Sequence, residues 1–261
     1  MEEIGKETAK QKSQRTKEPR AAFLVGCGRS GTNMITRQLA KSPDVVLFNE
    51  DHLDAFAKYR LREIKVIQRL VEQSTAQVVL FKPILDTHLS LHLLEHFPDA
   101  RLLFAFRHYG DVVNSSIRRF GPLKWTKSVA HWVRDDFARF AAAPLPDVTK
   151  ERIKSRWRPD LGPESSIALY WLFYNSLFFD LGLNESSRVM SVQYEQTVME
   201  PERRFKALAA FVEIPFTPTM AQGVYASSIG KAARPGIDPQ IAATCEALWQ
   251  RLCLTNGSDS T

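Results

Sequence analysis

The stretch from Phe23 to Thr32, Phe-Leu-Val-Gly-Cys-Gly-Arg-Ser-Gly-Thr, has the residue types and spacing to hold an anion. Gly26, Gly28 and Gly31 leave the backbone free to aim several N–H groups at one point. The helix-like segment Thr32 to Lys41 that follows would add the positive end of its dipole. Gly26 and Gly31 fit the GxxxxG frame of a P-loop. Thr32 and Asn33 come next, so the lysine that reaches terminal phosphates is missing, as is the Ser/Thr that holds magnesium. Arg29 stands inside the loop instead. The chemistry implied is capture of a phosphate-type group without a nucleoside triphosphate and its metal, and no metal site is expected.

Other reactive side chains follow short apolar runs. Glu50 lies just past Val45–Phe48, Lys82 ends Val78-Val-Leu-Phe-Lys, Arg107 follows Leu102–Phe106 with Ser115 eight residues on, and Tyr194-Glu195 follows Val189–Val192. A carboxylate can accept a proton, and Lys and Arg can neutralise developing negative charge. Taken singly, each also reads as an ordinary surface charge, and Glu50 as an acid at a helix N-terminus. His88, His92 and His96 fall four apart and would share one helix face. Without an HExxH signature they read as a wetted face rather than a zinc site. Most of the aromatic run Tyr170–Phe179 must be core, with one or two rings available to line an acceptor channel. Cys27 reads as a small apolar filler.

Elements that would position these groups alternate along the chain. Strands are expected at Ala21–Val25, Val45–Phe48, Val78–Phe81, Leu102–Phe106 and Val189–Val192. Helices are expected at Thr32–Lys41, His52–Gln73, Thr87–Phe97, Asp111–Phe120, Ser128–Ala143, Ser165–Leu181, Pro201–Val212 and Pro239–Leu252. The pattern predicts a three-layer α/β fold, a mainly parallel sheet flanked by helices, with ligands outside the carboxyl ends of the strands. Gly121 to Pro163 is rich in Lys, Arg, Trp and Pro and interrupts the alternation. It reads as an insertion with one helix, a candidate substrate lid or a structural excursion.

The 261 residues suffice for one large domain, and 44% hydrophobic with 25% charged residues is ordinary for a globular protein. A single domain is expected over 21–255. Residues 1–20 carry charge and almost no apolar content, which suggests a disordered polar tail rather than a signal peptide. Its four glutamates argue against a nucleic-acid-binding arm. The net charge of +6 suits an anionic ligand. No run is long and apolar enough to span a membrane, though peripheral contact stays open. Three cysteines without metal spacing point to a reducing, cytoplasmic setting. The oligomeric state is not legible.

In their order and spacing, these segments resemble the sulfotransferases that use 3′-phosphoadenosine 5′-phosphosulfate (PAPS). The Gly26–Thr32 loop is similar to that family's 5′-phosphosulfate loop, and Arg107…Ser115 to its 3′-phosphate motif. Phe97-Pro-Asp-Ala-Arg101 and Tyr194-Glu195…Pro201 are also typical. The likeness runs from about 21 to 235, omitting the insertion. It implies that Gly28, Arg29, Ser30, Gly31, Thr32 and Asn33 hold the phosphosulfate, and that Arg107, Ser115 and Arg119 (or Arg118) hold the 3′-phosphate. Tyr194 would contact the nucleotide, and Ser227 or Ser228 with Lys231 would close over it. Two departures stand out: Asn33 where many relatives carry Thr or Ser, and His108-Tyr109-Gly110 in place of Asn-Pro or Asp-Pro.

The implied reaction moves a sulfuryl group from PAPS to a hydroxyl of a carbohydrate, glycolipid or other small molecule, releasing adenosine 3′,5′-bisphosphate (PAP). The resemblance assigns catalysis to Glu50 as general base and to Lys82 and Arg29 as stabilising cations, with Asp51 and His52 as rival bases. A P-loop kinase or NTPase, or a nucleotide-binding module without turnover, is the competing reading. The acceptor itself is not encoded legibly.

Overall fold

The apolar runs become strands because both of their faces are covered. The computed structural model describes residues 18–227, 229–230 and 235–255. Its strands are β1 (Arg20–Gly26), β2 (Val45–Phe48), β3 (Phe56–Ala57), β4 (Arg60–Leu61), β5 (Val78–Phe81), β6 (Arg101–Phe106) and β7 (Val189–Gln193). Five of them form one parallel sheet in the order β2-β5-β1-β6-β7. Alternate residues serve different layers. Phe23, Val25, Phe104 and Phe106 pack into one apolar cluster, while Ala22, Leu24, Leu103 and Ala105 pack into the other. That two-sided burial is why the strands read as unbroken apolar runs.

The helices are α1 (Thr32–Leu39), α2 (Ile64–Glu72), α3 (Ser90–His96), α4 (Tyr109–Phe120), α5 (Leu123–Arg134), α6 (Asp147–Lys154), α7 (Pro163–Asp180), α8 (Tyr194–Met199), α9 (Pro201–Phe211) and α10 (Pro239–Thr255). Ile35 and Leu39 of α1 and Phe205 and Leu208 of α9 cover one side of the sheet. On the other, α7 is buried without a break from Ser165 to Phe178, enclosed by α4, α5, α6 and α10. A helix surrounded on every side has no polar stripe, which accounts for its dense aromatic run.

Three expectations need correcting. The helix expected over His52–Gln73 begins only at Ile64, and the residues before it form the antiparallel β3–β4 hairpin. Lys58 (φ 50°) and Tyr59 (φ 65°) make its two-residue turn with positive φ at both positions, the backbone that matches strand twist. Asp86 fastens the hairpin, accepting from Leu61 N at 2.7 Å and from Arg60 Nη1 at 2.6 Å. The segment 121–163 carries two α-helices and a 3₁₀ turn rather than one helix, and its Trp125, Val129, Trp132 and Phe140 belong to the main apolar cluster. Finally, His88 does not share a wetted face with His92 and His96. It lies buried in a 3₁₀ turn, Ile84–Leu89, with its ring edge against Phe140.

Candidate active site

The glycine loop sits at the carboxyl end of β1, the central strand, between the ends of β5 and β6. Two glycines are forced there by close approach. At Gly26 (φ 119°) a Cβ would lie 2.1 Å from the Ala105 carbonyl oxygen, and at Gly31 (φ 77°) 2.3 Å from the Tyr194 ring. Thr87 clamps the loop's start: its hydroxyl accepts from Gly26 N at 2.9 Å and lies 3.0 Å from Gly26 O. The Tyr170 hydroxyl closes on Gly28 from beneath. Arg29 also takes positive φ, at 70°. Gly31 caps α1, so the amides of Thr32 and Asn33 open the helix toward the loop. Ser30 is fully buried, and its hydroxyl has no hydrogen-bond partner among the described residues.

Glu50 and Lys82 are brought together by strand pairing. Phe48 of β2 is in register with Phe81 of β5, so the residues just beyond the two strand ends converge. Lys82 Nζ stands 2.9 Å from Glu50 Oε2 and also donates to Asn33 Oδ1. Asn33 thus tethers the lysine from the first turn of α1. The Lys82 side chain is only 6% exposed while Glu50 is 22% exposed, so the carboxylate is the more accessible of the pair. Burial pushes the Glu50 carboxyl above its ordinary range, and the Lys82 charge pulls it back. His52 and Asp51, the rival bases, are both exposed, and His52 faces Asp54 at 3.7 Å.

A second cationic group gathers on the other side of the loop. Arg29 Nε donates to Ser115 Oγ at 3.1 Å. Burial lowers the Arg29 pKa, as do the like charges of Arg119, Arg107 and Arg118 in that order. Arg107 is buried, pairs with Asp111 at 3.2 Å, and lies over the Tyr194 ring at 4.4 Å. Trp171 Nε1 holds the Arg107 carbonyl at 2.8 Å. One guanidinium on the Ser115 hydroxyl, with three more arginines near enough to depress its pKa, favours an anion with several oxygens.

The departure at His108 has a local explanation. Its ring Nδ1 accepts from Gly110 N at 3.2 Å and caps α4. Glu195 Oε1 accepts from His108 N at 3.0 Å, tying the same turn to α8.

Several members of the site are invisible from sequence. Asp111 partners Arg107, and Gly230 N donates to the same carboxylate at 3.3 Å, so the late loop reaches the arginine cluster. Lys124 lies over Phe120 at 3.8 Å, where burial and Arg119 lower its pKa and Glu50 opposes them. Of the expected late-loop residues, Ser227 is exposed, while Ser228 and Lys231 lie outside the described residues.

The sulfotransferase domain family matches residues 19–232. The chain belongs to the sulfotransferase family. No curated protein sequence matched it. Among solved structures, it is similar to the sulfotransferase domain from the curacin biosynthetic pathway (TM-score 0.58, 16% identity, 91% of this chain and 99% of that one). It is also similar to a sulfotransferase from Alicyclobacillus acidocaldarius (TM-score 0.51, 17% identity, 91% and 94%). At these identities the likeness concerns the fold. The sulfotransferase is therefore an enzyme of sulfuryl transfer, with an α/β fold around five parallel strands. Among the described residues, no helix is long and apolar enough to cross a membrane.

Proposed function

We propose that this sulfotransferase takes its sulfuryl group from PAPS and passes it to a hydroxyl of a carbohydrate, glycolipid or other small molecule. The observation that carries the reading is the pairing of Glu50 with Lys82 beside a glycine loop that has no P-loop lysine. Two features support the nucleotide: a helix-start loop of amides, and Arg29 on the Ser115 hydroxyl with further arginines nearby.

When bound, PAPS supplies an activated sulfuryl group on a phosphate leaving oxygen. The amides of Gly31, Thr32 and Asn33 hold its phosphosulfate end. Arg107, Ser115 and Arg119 hold the 3′-phosphate, and Tyr194 packs beside the loop. Glu50 takes the acceptor's proton as the new S–O bond forms and the bond to the leaving phosphate oxygen breaks. Lys82 neutralises the charge that grows on that oxygen, with Arg29 contributing from the Ser115 side. The products are the acceptor sulfate ester and PAP.

The test is to incubate the full chain with PAPS and a panel of hydroxylated acceptors and to follow PAP release. Release that depends on acceptor supports the reading. No release with any acceptor, together with no binding of PAP, contradicts it.

A further inference from the structure

Beyond Glu50 lies a charge imbalance that sulfuryl transfer does not use. The β3–β4 hairpin delivers Arg60, and the 3₁₀ turn Ala138–Phe140 delivers Arg139. Both guanidiniums lie against the same ring, 5.9 Å and 5.5 Å from the Phe140 centroid. Arg60 is matched by Asp86 at 2.6 Å, and the second oxygen of that carboxylate is taken by Leu61 N at 2.7 Å. Arg139 has no hydrogen bond or ion pair among the described residues. Its further support is the Trp132 ring, at 5.9 Å.

The wall behind these arginines offers a donor or acceptor without adding charge. His88 is buried with its ring edge 4.9 Å from Phe140, and its Nδ1 has no hydrogen-bond partner among the described residues. Burial, with Arg60 and Arg139 close by, pushes its pKa down to about 3, so the imidazole is neutral. The cluster adjoins the reacting end of the site. Asp86, which holds Arg60, lies in the turn that follows Lys82, the partner of Glu50; Arg139 lies over Trp132, whose ring is 5.9 Å from that of Tyr170, and the Tyr170 hydroxyl closes on Gly28 of the loop. Two arginines share one committed carboxylate and a neutral histidine, and Arg139, exposed to solvent, keeps its guanidinium open to a ligand beside an aromatic ring.

We propose that the acceptor carries an anionic group, a carboxylate or a phosphate ester, which Arg139 binds alongside Arg60 and Phe140 while the acceptor hydroxyl faces Glu50. This rests on the sulfotransferase reading given above. A guanidinium fork matches two oxygens of either group. Arg139 is then a specificity residue: it selects the acceptor and takes no part in breaking the S–O bond.

The experiment first measures PAP binding to the full chain by calorimetry, then titrates matched acceptors at saturating PAP. The pairs are para-hydroxyphenylacetate against its methyl ester, and glycerol phosphate against glycerol. Turnover with PAPS is measured for the same four compounds. One charged compound is expected to bind, and to exceed its neutral partner about tenfold or more in kcat/KM. The arm that shows the preference distinguishes a carboxylate from a phosphate. Arg139→Gln should remove that preference through KM while leaving PAP binding and turnover of the neutral compound unchanged. Arg139→Lys should restore part of it. Equal behaviour within both pairs, no binding by any of the four, or a preference that survives Arg139→Gln overturns the proposal. Failure of the unaltered protein to bind PAP would instead sink the sulfotransferase reading beneath it.

Discussion

Lys82 Nζ lies 2.9 Å from Glu50 Oε2, and the two residues come from the ends of adjacent parallel strands. The register Phe48↔Phe81 fixes this contact, so the pair is a consequence of the sheet rather than of a mobile loop. A base and a cation held on rigid elements can serve opposite ends of one transfer: Glu50 at the incoming hydroxyl, Lys82 at the leaving oxygen.

Removing the cation should hit the chemical step. Lys82→Met is expected to lower kcat roughly 10²-fold or more, with PAP affinity nearly unchanged, because the charge matters most as the leaving oxygen develops. Asn33→Ala, which frees the lysine's tether, should give a smaller loss. Single-turnover rates beside PAP titrations check both.

Removing the base should change the pH profile as well as the rate. Glu50→Gln is expected to lower kcat/KM about 10²- to 10⁴-fold. In the unaltered enzyme Glu50 must be ionised to act, so activity falls as pH drops through its pKa. Burial raises that pKa, so the acid limb should lie above the ordinary glutamate value of about 4.3. Rate measurements across acid pH should show the limb in the unaltered protein and its disappearance in Glu50→Gln.

The arginine cluster should read the 3′-phosphate. Arg107→Gln is expected to weaken PAP binding about tenfold or more, while adenosine 5′-phosphate, which lacks that group, loses little. Calorimetry with the two nucleotides gives the difference directly. Equal losses for both would assign Arg107 a merely structural part.

Loop geometry gives a stability prediction. At Gly26 a Cβ would sit 2.1 Å from backbone, with φ at 119°. Gly26→Ala should therefore destabilise the fold by several kcal/mol, on the order of 3 or more. His108→Ala removes a helix cap and the ring's packing on Tyr109 and Trp249 and should cost about 1 kcal/mol or more, with His108→Asn, which keeps the cap, costing less. Denaturant unfolding ranks the three.

The five strands are legible because a strand buried on both faces is written as a continuous apolar run, and each of Gly26, Glu50, Lys82 and Arg107 falls at or just past the carboxyl end of such a run. The β3–β4 hairpin was not, because Lys58 and Tyr59 adopt positive φ without the Asn or Gly that signals such a turn. Asp86, Asp111 and Lys124 looked like any other charges; their roles come from contacts between segments far apart in the chain. The helical spacing of His88, His92 and His96 does not survive the 3₁₀ turn, which rotates His88 away from His92 and into the core. The departure at Asn33 takes its meaning from the Lys82 ammonium that donates to it, a contact between distant segments.

A glycine loop that holds a phosphosulfate without metal should bind the nucleotide without metal too. Binding of PAP to the full chain in excess EDTA, compared with ATP in excess magnesium, tests it most directly. The expected result is PAP binding that EDTA leaves unchanged, that is tighter than ATP binding, and that falls in Arg107→Gln. Magnesium-dependent ATP binding tighter than PAP, or no PAP binding at all, would contradict it.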